Sequence, residues 1–133
     1  MSVPMGKRKP SPIQFLETAR ELAVHTLKYT NKTFAKKDTD IIRRLRDLAI
    51  NIFNNVSAAN SVFVATQEDK VIRRQYLVNA RGDLFALSSM LSVVMEVIST
   101  EITEYGWSHW GELIDKEIRL ITALMKKDID IQI

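Results

Sequence analysis

From Ile13 onward, apolar side chains return every three or four residues in four long runs separated by short polar breaks, the period of an α-helix rather than a strand. The first run is Phe15, Ala19, Leu22, Thr26 and Tyr29, widened by Leu16, Ala23 and Leu27. It predicts a helix with Ser11 as cap and Pro12 in the first turn, ending near Lys32. The polar stretch KTFAKKD predicts a turn. A second helix, capped by Asp38 or Thr39, carries Ile41, Leu45, Leu48, Ile52, Val56 and Ala59, with Phe63 in the connection beyond. Thr66 and Asp69 have the spacing of a capping box, with Asp where Glu or Gln is usual. They precede a third helix, from about Gln67 to Ile98, with Ile72, Tyr76, Ala80, Leu87, Leu91 and Ile98 facing inward. The fourth begins at Thr103 or Ser108 and runs to about Lys127, with Trp107, Trp110, Ile114, Ile118, Ile121 and Met125 on its stripe. All three prolines lie within the first 12 residues, so none interrupts these helices. The expected fold is all-α: an antiparallel up-down-up-down four-helix bundle over residues 12–128. A flexible basic N-terminal arm at 1–11 and a C-terminal tail at 129–133 flank it.

The third helix changes character after Asp83. LFALSSMLSVVM is apolar on nearly every side, and a helix hydrophobic all round calls for cover all round. The expectation is a ring-like homo-oligomer in which Phe85, Met90, Val93 and Val97, with Leu120 and Leu124 of the fourth helix, meet a neighbouring subunit. Glu117 falls in the middle of the fourth helix's apolar stripe, where a carboxylate must be paired or have a shifted pKa. A buried ion pair with an arginine, within or between subunits, is the expected resolution.

Composition removes several classes. There is no cysteine, hence no disulfide framework and no thiolate metal site, and two histidines leave little for a histidine-based one. No glycine-rich phosphate loop, nucleophile elbow, zinc-binding histidine pair or Glu-x-x-His pair is present, so neither catalytic residues nor cofactors are expected. The N-terminus lacks the apolar segment of a secretory signal. Leu48–Gln67 is too polar and Leu84–Met95 too short to span a bilayer, so a cytoplasmic protein without a membrane partner is expected. Trp107, His109 and Trp110 could stack bases, but the two tryptophans lie three apart on the core stripe and read as packing.

Charge is divided unevenly. Residues 1–74 hold fourteen Lys and Arg against seven Asp and Glu, and residues 75–133 hold five against nine, which gives +7 and −4. Arg43, Arg44 and Arg46 on the second helix, Lys70, Arg73, Arg74 and Arg81 on the third, and Lys36 and Lys37 in the turn form a candidate phosphate-binding face. The competing outcome is a solvated face in which Arg43 pairs with Asp47 one turn away.

The segments QFLETARELAVHTLKYTNKTF, DLAINIFNNVSAANSVF and WGELIDKEIRLITALMKKD resemble the accessory variability proteins of diversity-generating retroelements. These belong to a group of small four-helix bundles that includes proteins encoded in ribosomal RNA intervening sequences. The resemblance runs from about Ile13 to Asp128. It implies a non-enzymatic homopentamer that binds nucleic acid, template RNA or RNA/DNA, and the element's reverse transcriptase, supporting mutagenic retrohoming. The intervening-sequence branch ends its second helix in an Asn-Ile-Ala-Glu-Gly-like motif. NNVSAAN stands here instead, which favours the retroelement branch. The alternative is a structural oligomer of the intervening-sequence type with no nucleic-acid role.

Overall fold

The helical period is realised as four helices: α1 (Gln14–Lys32), α2 (Thr39–Ser61), α3 (Gln67–Val97) and α4 (Glu104–Ile129). The computed structural model describes residues 13–32, 38–97 and 102–131, and among these there is no strand. The expected Ser11 cap with Pro12, the arm at 1–11, Lys36, Lys37, Ile98 and the last two residues of the tail lie outside the described residues. Each helix packs on two others, α1 on α2 and α4, and α3 on α2 and α4. The diagonal pairs make no contact among the described residues. This is the arrangement of a four-helix bundle.

Local chemistry explains the helix ends. Thr66 and Asp69 form a reciprocal capping box: the Asp69 amide donates to Thr66 Oγ1 at 3.1 Å. Asp69 Oδ2 in turn accepts from the amides of Thr66 and Ala65 at 2.9 and 3.0 Å. The amides of Ala65 and Thr66 stabilise the ionised form and pull the Asp69 pKa below its ordinary value. Thr103 caps α4 by accepting from the Gly106 amide at 3.0 Å, and Lys126 and Lys127 in its last turn suit the negative end of the helix dipole. Asp38 holds the cap position of α2, but its side chain makes no capping hydrogen bond.

The core is filled by Leu22, Leu45, Ile52, Leu77, Leu84, Leu87, Trp110, Ile114 and Ile121, all fully enclosed. Two stripes differ from expectation. On α2, Ala49 takes the fully buried place, while Ile41 and Leu48 are half-buried beside it. On α3, Leu77, Ala80, Leu84, Leu87, Leu91 and Val94 face inward, and Ile72 is exposed. The observed α3 set alternates steps of three and four, the seam of a packed helix pair. Sequence alone could not choose it, because apolar residues along both halves of α3, Val71, Ile72, Leu77 and Val78 among them, offer more than one such stripe. By length and composition α3 is the one helix among the described residues that could cross a membrane, at the margin. Its buried stripe is that of a core helix.

Gly106 sits where α4 presses against α1. A Cβ there would stand 2.8 Å from both the Ile102 side chain and the Tyr29 ring. Gly82 and Gly111, by contrast, look into open space from helix interiors. Gly82→Ala and Gly111→Ala should therefore each raise stability by about 1 kcal/mol through helix propensity. Gly106→Ala should lower it by about 1–2 kcal/mol, because the clash with Tyr29 outweighs the same gain. Thermal unfolding of the three variants checks this; a Gly106→Ala protein more stable than the parent would contradict it.

Candidate nucleic-acid interface

The expected basic face separates into arginines that face solvent and basic residues that hold the fold. Arg43 and Arg44 on α2 and Arg74 on α3 are exposed, and no ion pair joins them to a carboxylate among the described residues. Asp47 and Asp40 stand one turn from Arg43 and Arg44, yet neither pairing is made. Arg81 is half-buried, without an ion pair. The remaining three have other duties. Arg46 reaches back to α1, donating to the Leu27 carbonyl at 3.2 Å and to Thr30 Oγ1 at 3.1 Å. Lys70 donates to the carbonyls of Ile129 and Ile131 at the end of α4. Arg73 lies 2.9 Å from Asp128, with 17 % of its side chain exposed, an ion-pair contact without hydrogen-bond geometry. These three members of the expected phosphate-binding set differ from the exposed arginines in that each side chain contacts an adjacent helix. The rest are spread along the two helices: Arg43 lies roughly 27 Å before the end of α2, whereas Arg74 lies about 10 Å and Arg81 about 21 Å beyond the start of α3.

The expected oligomer face divides in the same way. Phe85, Val93 and Val97 are 56 %, 59 % and 69 % exposed. At 100° per residue they lie roughly a third of a turn or more round α3 from the centre of its buried stripe. Met90, Leu120 and Leu124 are half-buried and pack against the chain's own core.

The chain's two histidines meet at the α1–α4 seam. Their ring centroids are 5.0 Å apart, edge to face. His25 Nε2 is 2.9 Å from the Gly106 carbonyl; a carbonyl can only accept, so this nitrogen carries the proton. Burial, opposed by that hydrogen bond and aided by His109 and Lys28, lowers the His25 pKa. Trp110, fully enclosed, donates its indole N–H to Thr26 Oγ1 at 2.9 Å, and Thr26 donates on to the Leu22 carbonyl at 2.8 Å. Outside this seam, His109 stacks on Tyr105 at 5.3 Å with the rings 9° from parallel. The periodic reading placed Trp107 and Trp110 in the core, and Trp110 is there. It gave no sign that His25 would lie against His109, because 84 positions separate them and only the docking of α4 on α1 joins them.

Glu117 is fully enclosed, and neither carboxylate oxygen has a hydrogen-bond partner. The expected ion pair with an arginine is absent. Of the arginines on the two helices that pack against α4, Arg20 and Arg74 are exposed to solvent, Arg73 faces Asp128 and Arg81 makes no ion pair among the described residues; a side chain with no exposed surface is also out of reach of another subunit. Burial pushes its pKa up to about 8, with Lys116 and the Ala19 backbone amide pulling the other way. The Ala19 amide is near enough to act electrostatically, but a helical N–H is committed to the carbonyl one turn back. The acid therefore stays neutral at neutral pH, the second of the two outcomes open to a carboxylate in an apolar stripe.

Among the described residues no group of three His, Asp or Glu side chains could hold a metal ion. Comparison with family models, with curated proteins and with solved structures finds no match.

The Glu117 environment sets a pH dependence. Between the ordinary carboxylate range and about pH 8, the unfolded chain is ionised at this position and the folded chain is not. Folding then takes up a proton, so stability is greatest below the unfolded pKa and falls as pH rises, by up to about 1.4 kcal/mol per unit. Glu117→Gln cannot ionise and should remove this slope. Denaturant unfolding of both proteins from about pH 5 to about pH 8 tests it. Parallel curves would show that Glu117 does not carry the raised pKa.

Proposed function

We propose that the chain is a non-enzymatic accessory protein of a diversity-generating retroelement. It binds template RNA and the reverse transcriptase and supports mutagenic cDNA synthesis by positioning rather than by chemistry. The working unit is a homopentameric ring of up-down-up-down bundles in the cytoplasm. The observation that carries the nucleic-acid part is the state of Arg43, Arg44 and Arg74. All three stand in solvent, and the carboxylates one turn away leave Arg43 and Arg44 unpaired. Unpaired guanidinium groups on rigid helices are suited to phosphate oxygens, which they can meet two at a time.

The ring is supported by the exposed apolar residues on the outer face of α3, and its five-fold symmetry by the family resemblance alone. Contacts between the end of α1 and the start of α4, and between the start of α3 and the end of α4, support the up-down order. The acidic residues Glu104, Glu112 and Asp115, all exposed on α4, are suited to a basic polymerase surface.

The combined variant Arg43→Glu, Arg44→Glu and Arg74→Glu should lose RNA binding while keeping its helical content and mass. The parent's affinity should fall steeply with salt, by about 0.7 to 0.9 logarithmic units per logarithmic unit of salt for each phosphate neutralised. RNA titrations across a salt series, with mass measured on the same samples, check both. An unchanged affinity would refute the assignment of these arginines. A parent that ignores RNA at low salt would favour the purely structural oligomer.

Phe85→Glu with Val93→Glu should convert the oligomer to monomers without unfolding them, since both side chains are exposed in the single chain. Sedimentation of this variant beside the parent decides it. A variant of unchanged mass would place the subunit contact elsewhere.

A further inference from the structure

Between α1 and α4 lies an open cleft of about 350 Å³, separate from the arginines of α2 and α3. Its chemistry is mixed in a particular way. One wall is aromatic: Tyr105, 67 % exposed, has one face stacked on His109, which in turn meets the buried ring of His25. The other wall is cationic. Arg20 and Lys28 are both exposed on α1, two helical turns apart and so roughly 12 Å along its axis, with Val24 between them. No ion pair engages either cation among the described residues; Glu21 also lines the cleft but pairs with neither.

The helices behind the aromatic wall are cross-linked. The His25 hydrogen bond to Gly106 and the Trp110 hydrogen bond to Thr26 tie the first turns of α4 to α1. Gly106 lets the two helices approach closely enough for the rings to touch. Tyr105 and His109 are one turn apart on α4, so their parallel rings form a flat platform held from behind. A platform of this kind costs little conformational entropy when a second planar group settles on it.

A flat exposed ring beside unpaired cations matches the chemistry of a nucleotide: a planar base for the ring and a phosphate for the ammonium or guanidinium group. We infer that this cleft binds one unpaired nucleotide, its base stacked on Tyr105 and its phosphate held by Lys28 or Arg20. The neighbouring apolar Val24 lies against the sugar and base edge. The inference deepens the nucleic-acid reading above and rests on it for the source of the nucleotide, a single-stranded segment of RNA. A free nucleotide carries the same chemistry, and the test separates the two.

The probes are a short single-stranded RNA, an abasic strand of the same length, and adenosine monophosphate, each titrated into the full chain, into Tyr105→Ala and into Arg43→Glu with Arg44→Glu. Tyr105 is exposed, so its loss leaves the core intact. Losing one stacked base should weaken RNA binding about tenfold in Tyr105→Ala, with abasic binding unchanged. The α2 variant should weaken both strands alike. With only two histidines in the chain, the ring proton resonances of His109 and His25 report the site directly, and they should move with RNA but not with the abasic strand. If RNA is not bound but adenosine monophosphate is, in a Tyr105-dependent way, the cleft stands as a free-nucleotide site and the RNA reading falls. If RNA binding needs Arg43 and Arg44 but Tyr105→Ala binds RNA and nucleotide like the parent, the cleft proposal is overturned and the RNA reading survives. If the parent binds none of the probes, both are overturned.

Discussion

The bundle depends on closing α4 against α1. The other packed pairs, α1 with α2, α2 with α3 and α3 with α4, are neighbours in the chain, so short connections hold them close before any side chain packs. The α1–α4 contact has no such help and must be held by what the two helices offer each other. Trp110 contributes a fully enclosed indole whose N–H is satisfied by Thr26, in an interior where an unsatisfied donor would cost about 1–3 kcal/mol. Gly106 supplies the close approach, and His25 a second cross-link to its carbonyl. The later half of α1 accordingly buries His25, Thr26 and Thr30, polar side chains that an ordinary core helix would expose. Each of the three has a hydrogen-bond partner, which is what allows a polar group to replace an apolar one there.

The same bookkeeping sorts the charged residues. Arg46, Lys70 and Arg73 spend their donors or charge on neighbouring helices: Arg46 on the Leu27 carbonyl and Thr30 hydroxyl of α1, Lys70 on the last carbonyls of α4, and Arg73 on the buried carboxylate of Asp128. Arg43, Arg44 and Arg74 have no such neighbour and remain open to water. A charge count along the chain treats all six alike, and only packing distinguishes the cations that build the protein from those that can meet a partner. Glu117 is the opposite case, an acid without an ion-pair partner whose burial favours the neutral form. A neutral acid in an apolar seam costs far less than an ionised one, which is why the fold can keep it.

The surface left over has three characters. The outer side of the second half of α3 carries exposed apolar residues, the exposed arginines of α2 and α3 are cationic, and the α1–α4 cleft combines an aromatic plate with cations. Helices held by a closed core keep these faces at fixed distances from one another.

What the sequence by itself determined was the number, the type and nearly the whole extent of the helices. The period of apolar residues, the absence of proline after residue 12 and the Thr66–Asp69 cap are local signals, and local signals set helices. Glu117 could also be singled out from its place in the stripe of α4, along with the choice it faced between a partner and a shifted pKa. Tertiary structure decided the rest. It selected one of the possible stripes on α3, engaged Arg46, Lys70 and Arg73 with adjacent helices, left Glu117 without a partner, and brought His25 to His109. The physical reason is the same in each case: these outcomes depend on which helix stands opposite, and a helix's own residues specify its faces but not its neighbour.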